Sequence, residues 1–358
     1  MSDSSLRREL SLSGATAFVV TSMVGTGIFT VPAVVRAATS SGVEALSLWL
    51  AGALLALCGA LCYAELGTRL PHAGGEYRYL SHVFGPSLGF VSGWVTFFVG
   101  FAAPIAASSL GAIAYAASAF PGWEPQTPLW GTSLTEGGLI AAVLPWVFAL
   151  WHSFGVRSSG RLQSLMMFTV IVAIGLFVIA GCLTGRGDWR GVTQTVQPVG
   201  SYWAALLQVS YAYTGWNGAA YLAGEIAAPR RNLPRALIGG TLLVVLLYVS
   251  LNLLFLYAVP AREWTDNVAI GNTAAEHLFG TNGARLVSSI IVFVILASLS
   301  AWTAAGARVY YAMALDGVAP TVFKTLSKRN NAPVVALYAQ AAVASALALT
   351  GQFERILT

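Results

Sequence analysis

Thr21-Ser22-Met23-Val24-Gly25-Thr26-Gly27-Ile28-Phe29 lies in the middle of an uncharged run from Leu10 to Val35, long enough to cross a bilayer. Two glycines around one threonine are a poor choice for the centre of a spanning helix, since each costs about 1 kcal/mol relative to alanine. In lipid an opened backbone also needs protein or a polar cavity to satisfy its N–H and C=O groups. The stretch therefore predicts a deliberate break. One half-helix ends in free carbonyls and the next begins with free N–H groups, which together make a mid-membrane site for a small charged molecule.

The composition around it is that of an integral membrane protein: 56% hydrophobic, 9% charged, mean hydropathy +0.71, against about 25% charged in a soluble domain. The apolar runs lack strand alternation, so the expected fold class is all-α integral membrane. Met1 to Leu12 is short and polar and lacks a small-residue cleavage site, so the first run is read as a retained span behind a cytoplasmic tail, residues 1–12. A net charge of +5 carries no nucleic-acid signal, because the basic residues sit in short loops. Cys58, Cys62 and Cys182 lie in apolar runs without His or acidic neighbours and are expected to be buried small hydrophobes; no metal or cofactor is expected.

Splitting at charges, prolines and glycines gives nine candidate spans: 13–37, 44–69, 86–119, 138–156, 162–184, 201–227, 235–259, 285–314 and 332–351. With the N-terminus inside, the cytoplasmic segments hold about twice as many Lys and Arg residues as the outside ones. In the first cytoplasmic connection Pro71 stops the second span and Gly74-Gly75 allows a sharp turn. Glu76 to Phe84 then reads as a short interfacial helix or a plain loop with aromatic anchors. Pro104 is expected to bend the long third run, and 121–136 and 186–200 read as external loops.

A second anomaly stands at Gln208-Val209-Ser210-Tyr211-Ala212-Tyr213-Thr214-Gly215-Trp216-Asn217-Gly218. Gly25 and Gly215 are 190 residues apart, and five spans separate the starts of the two runs. An odd number means that the second unit begins from the opposite side, as in inverted repeats with two broken helices meeting at the midplane. The first five-span repeat is placed at 13–184 and an inverted second repeat at 201–358. Gly351-Gln352-Phe353-Glu354 reads as a turn and Arg355 to Thr358 as the opening of another helix. Nine spans leave the second repeat incomplete, without its tenth, so the chain is expected to be truncated.

Four motifs in order resemble the amino acid–polyamine–organocation transporter superfamily, nearest its L-type amino acid transporter branch. They are Gly25-Thr26-Gly27-Ile28-Phe29; Tyr63-Ala64-Glu65-Leu66-Gly67 with Gly74-Gly75-Glu76-Tyr77; Tyr213-Thr214-Gly215-Trp216-Asn217 with Glu225 and Pro229-Arg230-Arg231-Asn232; and Ala307-Arg308-Val309-Tyr310-Tyr311 with Asp316-Gly317. The resemblance implies a five-plus-five, leucine-transporter-like bundle with discontinuous first and sixth spans. It also implies a plasma-membrane amino acid permease with a cytoplasmic N-terminus, working by exchange or ion coupling. In that family the glycine motif holds the substrate carboxylate and the sixth-span break its amino group. A lysine that many relatives carry in the fifth span falls here near Val170.

Neither interrupted stretch contains Asp, Glu, Lys or Arg. A zwitterion needs no side-chain counter-charge there. Its carboxylate can sit on the N–H groups of Thr26, Gly27 and Ile28, its ammonium on the carbonyls of Met23, Tyr211 and Thr214, and Gly25 and Gly27 allow close approach. Thr26 either donates its hydroxyl to the carboxylate or back-bonds to its own helix. Tyr211 either gates the site or packs. Gly215 opens the second break; Trp216 and Asn217 follow it, and Asn217 either braces the unwound backbone or touches substrate. Glu65 and Glu225 are read as partners of loop arginines, with gating or proton coupling as the other role. Ser298, Ser300 and Thr303 either line a sodium site or pack between helices. The expected partners are therefore an amino acid, lipid, and a coupling proton or sodium ion or a counter-substrate. A polyamine or other amine is the alternative cargo, but a cation wants a carboxylate in the pocket. A membrane-embedded enzyme lacks a nucleophile–base or metal set at depth, and a channel lacks a ring of charges or a repeated carbonyl filter.

Overall fold

The computed structural model describes residues 6–129, 132, 134–264 and 269–350, and every regular element among them is a helix. The readings for residues 351–358 lie outside the described residues. In chain order the helices are α1 (Leu12–Met23), α2 (Gly27–Ala37), α3 (Gly42–Arg69), α4 (Glu76–Phe84), α5 (Pro86–Val95), a π-helical turn (Thr96–Ala102) and α6 (Ala103–Ala119). There follow α7 (Glu136–His152), α8 (Val156–Leu183), α9 (Arg190–Thr193), α10 (Tyr202–Ala212), α11 (Gly218–Tyr221), α12 (Pro229–Ala258), α13 (Ile270–Leu315) and α14 (Val334–Leu349). Polar side chains start several of them: the oxygens of Ser11, Ser41, Thr135 and Ser201 accept the N–H three residues on, satisfying a donor that the first turn leaves free.

Five helices or helix pairs (α3, α5 with α6, α8, α12 and α13) are long and apolar enough to cross a membrane. A sixth candidate is α1 with α2, bent by 45°. The shorter apolar helices α7 and α14 fall on two further predicted runs. α13 is interrupted at Gly280, whose φ of 74° lies outside helical range, so the predicted eighth run is its longer, C-terminal part.

Size sorts the faces. α3 turns Ala45, Gly52, Ala53, Ala56, Ala60, Ala64 and Gly67 inward and Leu50, Leu54, Leu55 and Leu61 outward. Small residues let helix backbones approach where lipid supplies no hydrophobic drive between helices. Cys58, Cys62 and Cys182 share the outward faces of α3 and α8, so the expected burial is corrected: a thiol on the lipid side meets the same apolar surroundings as one in the core. From Ile291 to Ala314, α13 is buried along most of its length, and it packs against α6, α8 and α1 as the central post.

Where a bend is expected at Pro104, the helix widens just ahead of the proline. The π-helical turn over Thr96–Ala102 precedes α6, and the N–H of Ala103 bonds back five residues to the carbonyl of Phe98. Proline lacks a donor and its ring crowds the carbonyl four residues back, so a wider turn before Pro104 relieves both. The loop over 121–135 is non-helical where described. In the 186–200 connection only α9 forms a single helical turn; the chain beyond it passes the C-terminal end of α2, with the N–H groups of Val196 and Val199 on the carbonyls of Ser40 and Ala37 at 2.8 Å each. At the opposite end Leu10 pairs with Ile226 in an isolated parallel bridge, Leu10 N–H to Glu225 carbonyl and Ala227 N–H to Leu10 carbonyl.

Candidate binding site between the two breaks

α1 stops at Met23 and α2 starts at Gly27, leaving Val24, Gly25 and Thr26 between them. The N–H groups of Thr26, Gly27 and Ile28 have no backbone acceptor among the described residues, while that of Phe29 already bonds the carbonyl of Thr26. The second break is less symmetrical than the sequence suggests. α10 ends at Ala212; Tyr213–Asn217 is turn; α11 is one helical turn, and tight turns carry the chain on to Ile226. A full second half-helix is not formed in 201–227. The carbonyl of Tyr221 is instead taken by the N–H of Gly74 from the first connection.

The breaks touch. A Cβ on Gly215 would stand 2.5 Å from the carbonyl oxygen of Ser22, and the residue has φ 105°, so contact and backbone both require glycine. A Cβ on Gly27 would lie 3.0 Å from the Cα of Ala212. Behind them Tyr248 of α12 places its hydroxyl 2.7 Å from the carbonyl of Met23 and 3.1 Å from that of Ala212, serving both opened chains.

In front lies a cavity of about 290 Å³. Met23, Gly25, Thr26, Gly27, Tyr211 and Thr214, all expected at the site, line it, with Ser22 and Ala212 of the same breaks. Val99 and Gly100 of the π-helical turn, Pro104, Ala107 and Ser108 of α6, and Ser298 and Trp302 of α13 complete the wall. None of these residues is charged.

Four expected residues stand elsewhere. Ile28 lends its N–H at most, since its side chain is wholly buried in the core. Gly215 is the contact between the breaks. Trp216 turns away to α3, edge-on to Tyr63 at 4.9 Å and over Gly59. Asn217 faces the first connection, its Nδ2 donating to the hydroxyl of Tyr221 (3.0 Å) and to Glu76 Oε2 (3.3 Å), so it braces the unwound chain. Of the three carbonyls assigned to an ammonium, that of Met23 accepts Tyr248 and that of Tyr211 accepts both N–H and hydroxyl of Thr214. Only the Thr214 carbonyl carries no bond among the described residues. Thr26 makes no side-chain cap bond, and Tyr211 is exposed at the cavity edge.

The acids separate as well. Glu65 is exposed and pairs with Arg69 of its own helix at 2.6 Å. Glu225 is 2% exposed and pairs in a fork with Arg308 of α13, Oε2 to Nε at 2.7 Å and Oε1 to Nη2 at 3.1 Å. Its partner is thus a helix arginine rather than a loop one. Glu76, to which the sequence reading gives a motif position but no role, accepts from the hydroxyls of Tyr221 (2.6 Å) and Thr96 (3.1 Å).

Ser298, Ser300 and Thr303 do not act together. Ser298 lines the cavity beside Gly25, and the hydroxyl of Thr303 donates to Leu299 of its own helix. Ser300 accepts from Gln163 (2.7 Å), whose carbonyl accepts from Thr21 (2.9 Å), while His152 bridges Ser300 and Ser159. This buried polar seam ties α1, α7, α8 and α13. Val170, near which the resemblance sets the fifth-span lysine of many relatives, is buried and apolar.

An apolar helical bundle with a neutral cavity against two interrupted helices defines the class of helical membrane transport proteins. Residues 10–355 match the family described as amino acid permease, and the chain belongs to that family. It is 33% identical to the serine/threonine exchanger SteT of Bacillus subtilis over 323 residues, 87% of this chain and 69% of that protein. It is 29% identical to human large neutral amino acids transporter small subunit 2 over 343 residues, 93% of this chain and 62% of that one. With human Asc-type amino acid transporter 1 the identity is 26% over 358 residues, 97% and 66% of the two chains. The chain thus spans about two thirds of the length of the curated relatives it matches.

Proposed function

We propose that the protein is an amino acid permease that moves neutral, zwitterionic amino acids across the cell membrane by alternating access, as an exchanger or with a coupling proton or sodium ion. The single observation that carries this reading is the cavity: 15 residues line it, none of them charged, and the free N–H groups at the start of α2 point an electropositive helix end at it. A carboxylate is held on those N–H groups and the Thr26 hydroxyl, and an ammonium by the Thr214 carbonyl. Each bond to a charged group contributes about 1.5–3 kcal/mol. A polyamine fits less well, because no carboxylate reaches the cavity wall. The relatives' printed substrates, serine and threonine in one and large neutral amino acids in another, are both neutral at the side chain.

The same reading places the N-terminus and α4 on the cytoplasmic side. It takes 13–184 and 201–358 as inverted halves with nine crossings, the broken α1–α2 and α10–α11 facing each other across the pseudo-symmetry. Two observations support it: the breaks abut at Gly215 and Ser22, and each broken run is stitched to the other's flank at both ends.

Purified protein in proteoliposomes preloaded with a neutral amino acid, offered radiolabelled serine, threonine, alanine or leucine outside, tests the function. Counterflow of at least one is expected, and putrescine should not compete. Absence of uptake and counterflow for all neutral amino acids, with putrescine transported, would reverse the assignment.

A further inference from the structure

We propose that Glu76 is a proton-binding site in the cytoplasmic seal, protonated when the seal is shut and deprotonated when it opens, so that pH on that side sets how readily the cavity is reached. The proposal rests on the permease reading for its orientation and purpose, but not for its chemistry.

The seal is built from the first connection. Gly74 N–H bonds the carbonyl of Tyr221 at 3.1 Å, and a Cβ on Gly75 would stand 2.5 Å from the Tyr221 ring, so this turn is pressed onto α11 just beyond the second break. Glu76 follows directly. Its carboxylate gathers Tyr221 and Asn217 from the broken crossing and Thr96 from the π-helical turn of the third. The second break, the π-helical turn and α4 thus meet on one acid.

The surroundings of that acid are polar but uncharged. α3 contributes Tyr63 and α4 itself contributes Tyr79, both phenols close enough to feel the Glu76 charge. α5 contributes no titratable group. The nearest arginine on α4, Arg78, is committed to Asp316 past the end of α13, which also accepts from Tyr77. Among the described residues no Lys, Arg or His pairs with Glu76, whereas Glu65 and Glu225 each hold an arginine. Glu76 is half-buried and has no cation beside it, which favours its neutral form, and its pKa is raised by desolvation against the opposing bonds from Tyr221 and Thr96.

Either protonation state can be satisfied without rebuilding. Ionised, Glu76 accepts from Tyr221, Asn217 and Thr96. Protonated on Oε1, it donates to the Thr96 hydroxyl, which can accept as well as donate, while Tyr221 and Asn217 still serve Oε2. Opening the seal admits water, which favours the charge. The shut form therefore has the higher pKa: it is favoured at low pH and loses that advantage as pH rises through the shut-state value.

The test is thiol labelling of Ala73→Cys, a buried position in the connection, in a background with Cys58, Cys62 and Cys182 replaced by serine, with and without Glu76→Gln. Glutamine keeps the hydrogen bonds of the protonated acid and cannot ionise. At each pH the rate with glutamate divided by the rate with glutamine cancels the thiol's own titration. That ratio should rise severalfold between about pH 5.5 and about pH 8.5, because the shut form holds the proton more tightly than the open one. A flat or falling ratio overturns the proposal. Should the cysteine variant not fold, hydrogen exchange over residues 72–84 of the unsubstituted protein, corrected for intrinsic rates, reads the same opening: protection must fall as pH rises, and constant protection sinks the idea. A rising ratio in a protein that transports no amino acid leaves the proton site standing and removes the permease reading. Transport with a flat ratio does the opposite.

Discussion

The Tyr248 hydroxyl lies 2.7 Å from the main-chain oxygen of Met23, on a different helix 225 residues away. With Ala212 at 3.1 Å on its other side, one phenol from an unbroken helix serves the open ends of both breaks. The breaks are therefore held in register by a side chain that neither contains.

Tyr248→Phe tests this. The one phenolic proton that the Met23 and Ala212 carbonyls share is lost, at about 1–3 kcal/mol for a buried group left unsatisfied. The midpoint of thermal unfolding in detergent should fall, and the affinity for a neutral amino acid should fall about tenfold or more. A variant with unchanged unfolding and affinity shows that water takes the place of the phenol.

Gly27→Leu should abolish binding while leaving the protein inserted in the membrane. Even a single carbon at this position would press on Ala212 at 3.0–3.1 Å, and leucine adds three more in the wedge between α2 and α10. Gly27→Ala, needing a shift of a few tenths of an ångström, should bind with reduced affinity. Equilibrium binding of radiolabelled substrate on both variants checks the order wild type, alanine, leucine; retained affinity with leucine places the site elsewhere.

Thr26→Val keeps the shape and deletes the hydroxyl. Loss of one hydrogen bond to a charged group, about 1.5–3 kcal/mol, corresponds to a tenfold to hundredfold weaker Kd. Competition by an amino acid methyl ester, which lacks the carboxylate, should be equally poor against both proteins. If valine binds as well as threonine, the carboxylate is held by the main chain alone.

Glu225→Gln strands the Arg308 charge in a site where the two side chains are 0% and 2% exposed. Breaking a buried pair costs about 3–5 kcal/mol, whereas replacing both partners by apolar groups is often neutral. The single variant should lose most of its folded yield at raised temperature, and Glu225→Leu with Arg308→Met should recover much of it. Equal damage in single and double variants would show that the pair does more than neutralise itself.

The two breaks were legible because glycines set beside short polar residues at the middle of an uncharged run disfavour a continuous helix, and the pattern occurs twice, 190 residues apart. Segment ends followed from prolines and charges to within a few residues for α3 and for the run from α5 to α6, whereas α8 starts at Val156, six residues ahead of the expected 162. Side-chain direction past a break was not legible. Once the chain leaves helical geometry the 3.6-residue period no longer says where Trp216 or Asn217 points, and both face away from the cavity. Tyr248 sits in an apolar run with nothing local to mark it, and Glu225 meets an arginine 83 positions away. The outward cysteines had a readable signal: Cys58 and Cys62 share a stripe with Leu54, Leu55 and Leu61, opposite the alanine and glycine seam of α3.

The parallel bridge of Leu10 with Ile226, and the return of Val196 and Val199 along Ala37 and Ser40, have a mechanical consequence. Each interrupted crossing is fastened to the other above and below the gap, so the four pieces form a closed linkage rather than two independent levers. Tilting one drags its counterpart. A force applied to the tail near Glu9 is delivered to both sides of the cavity at once.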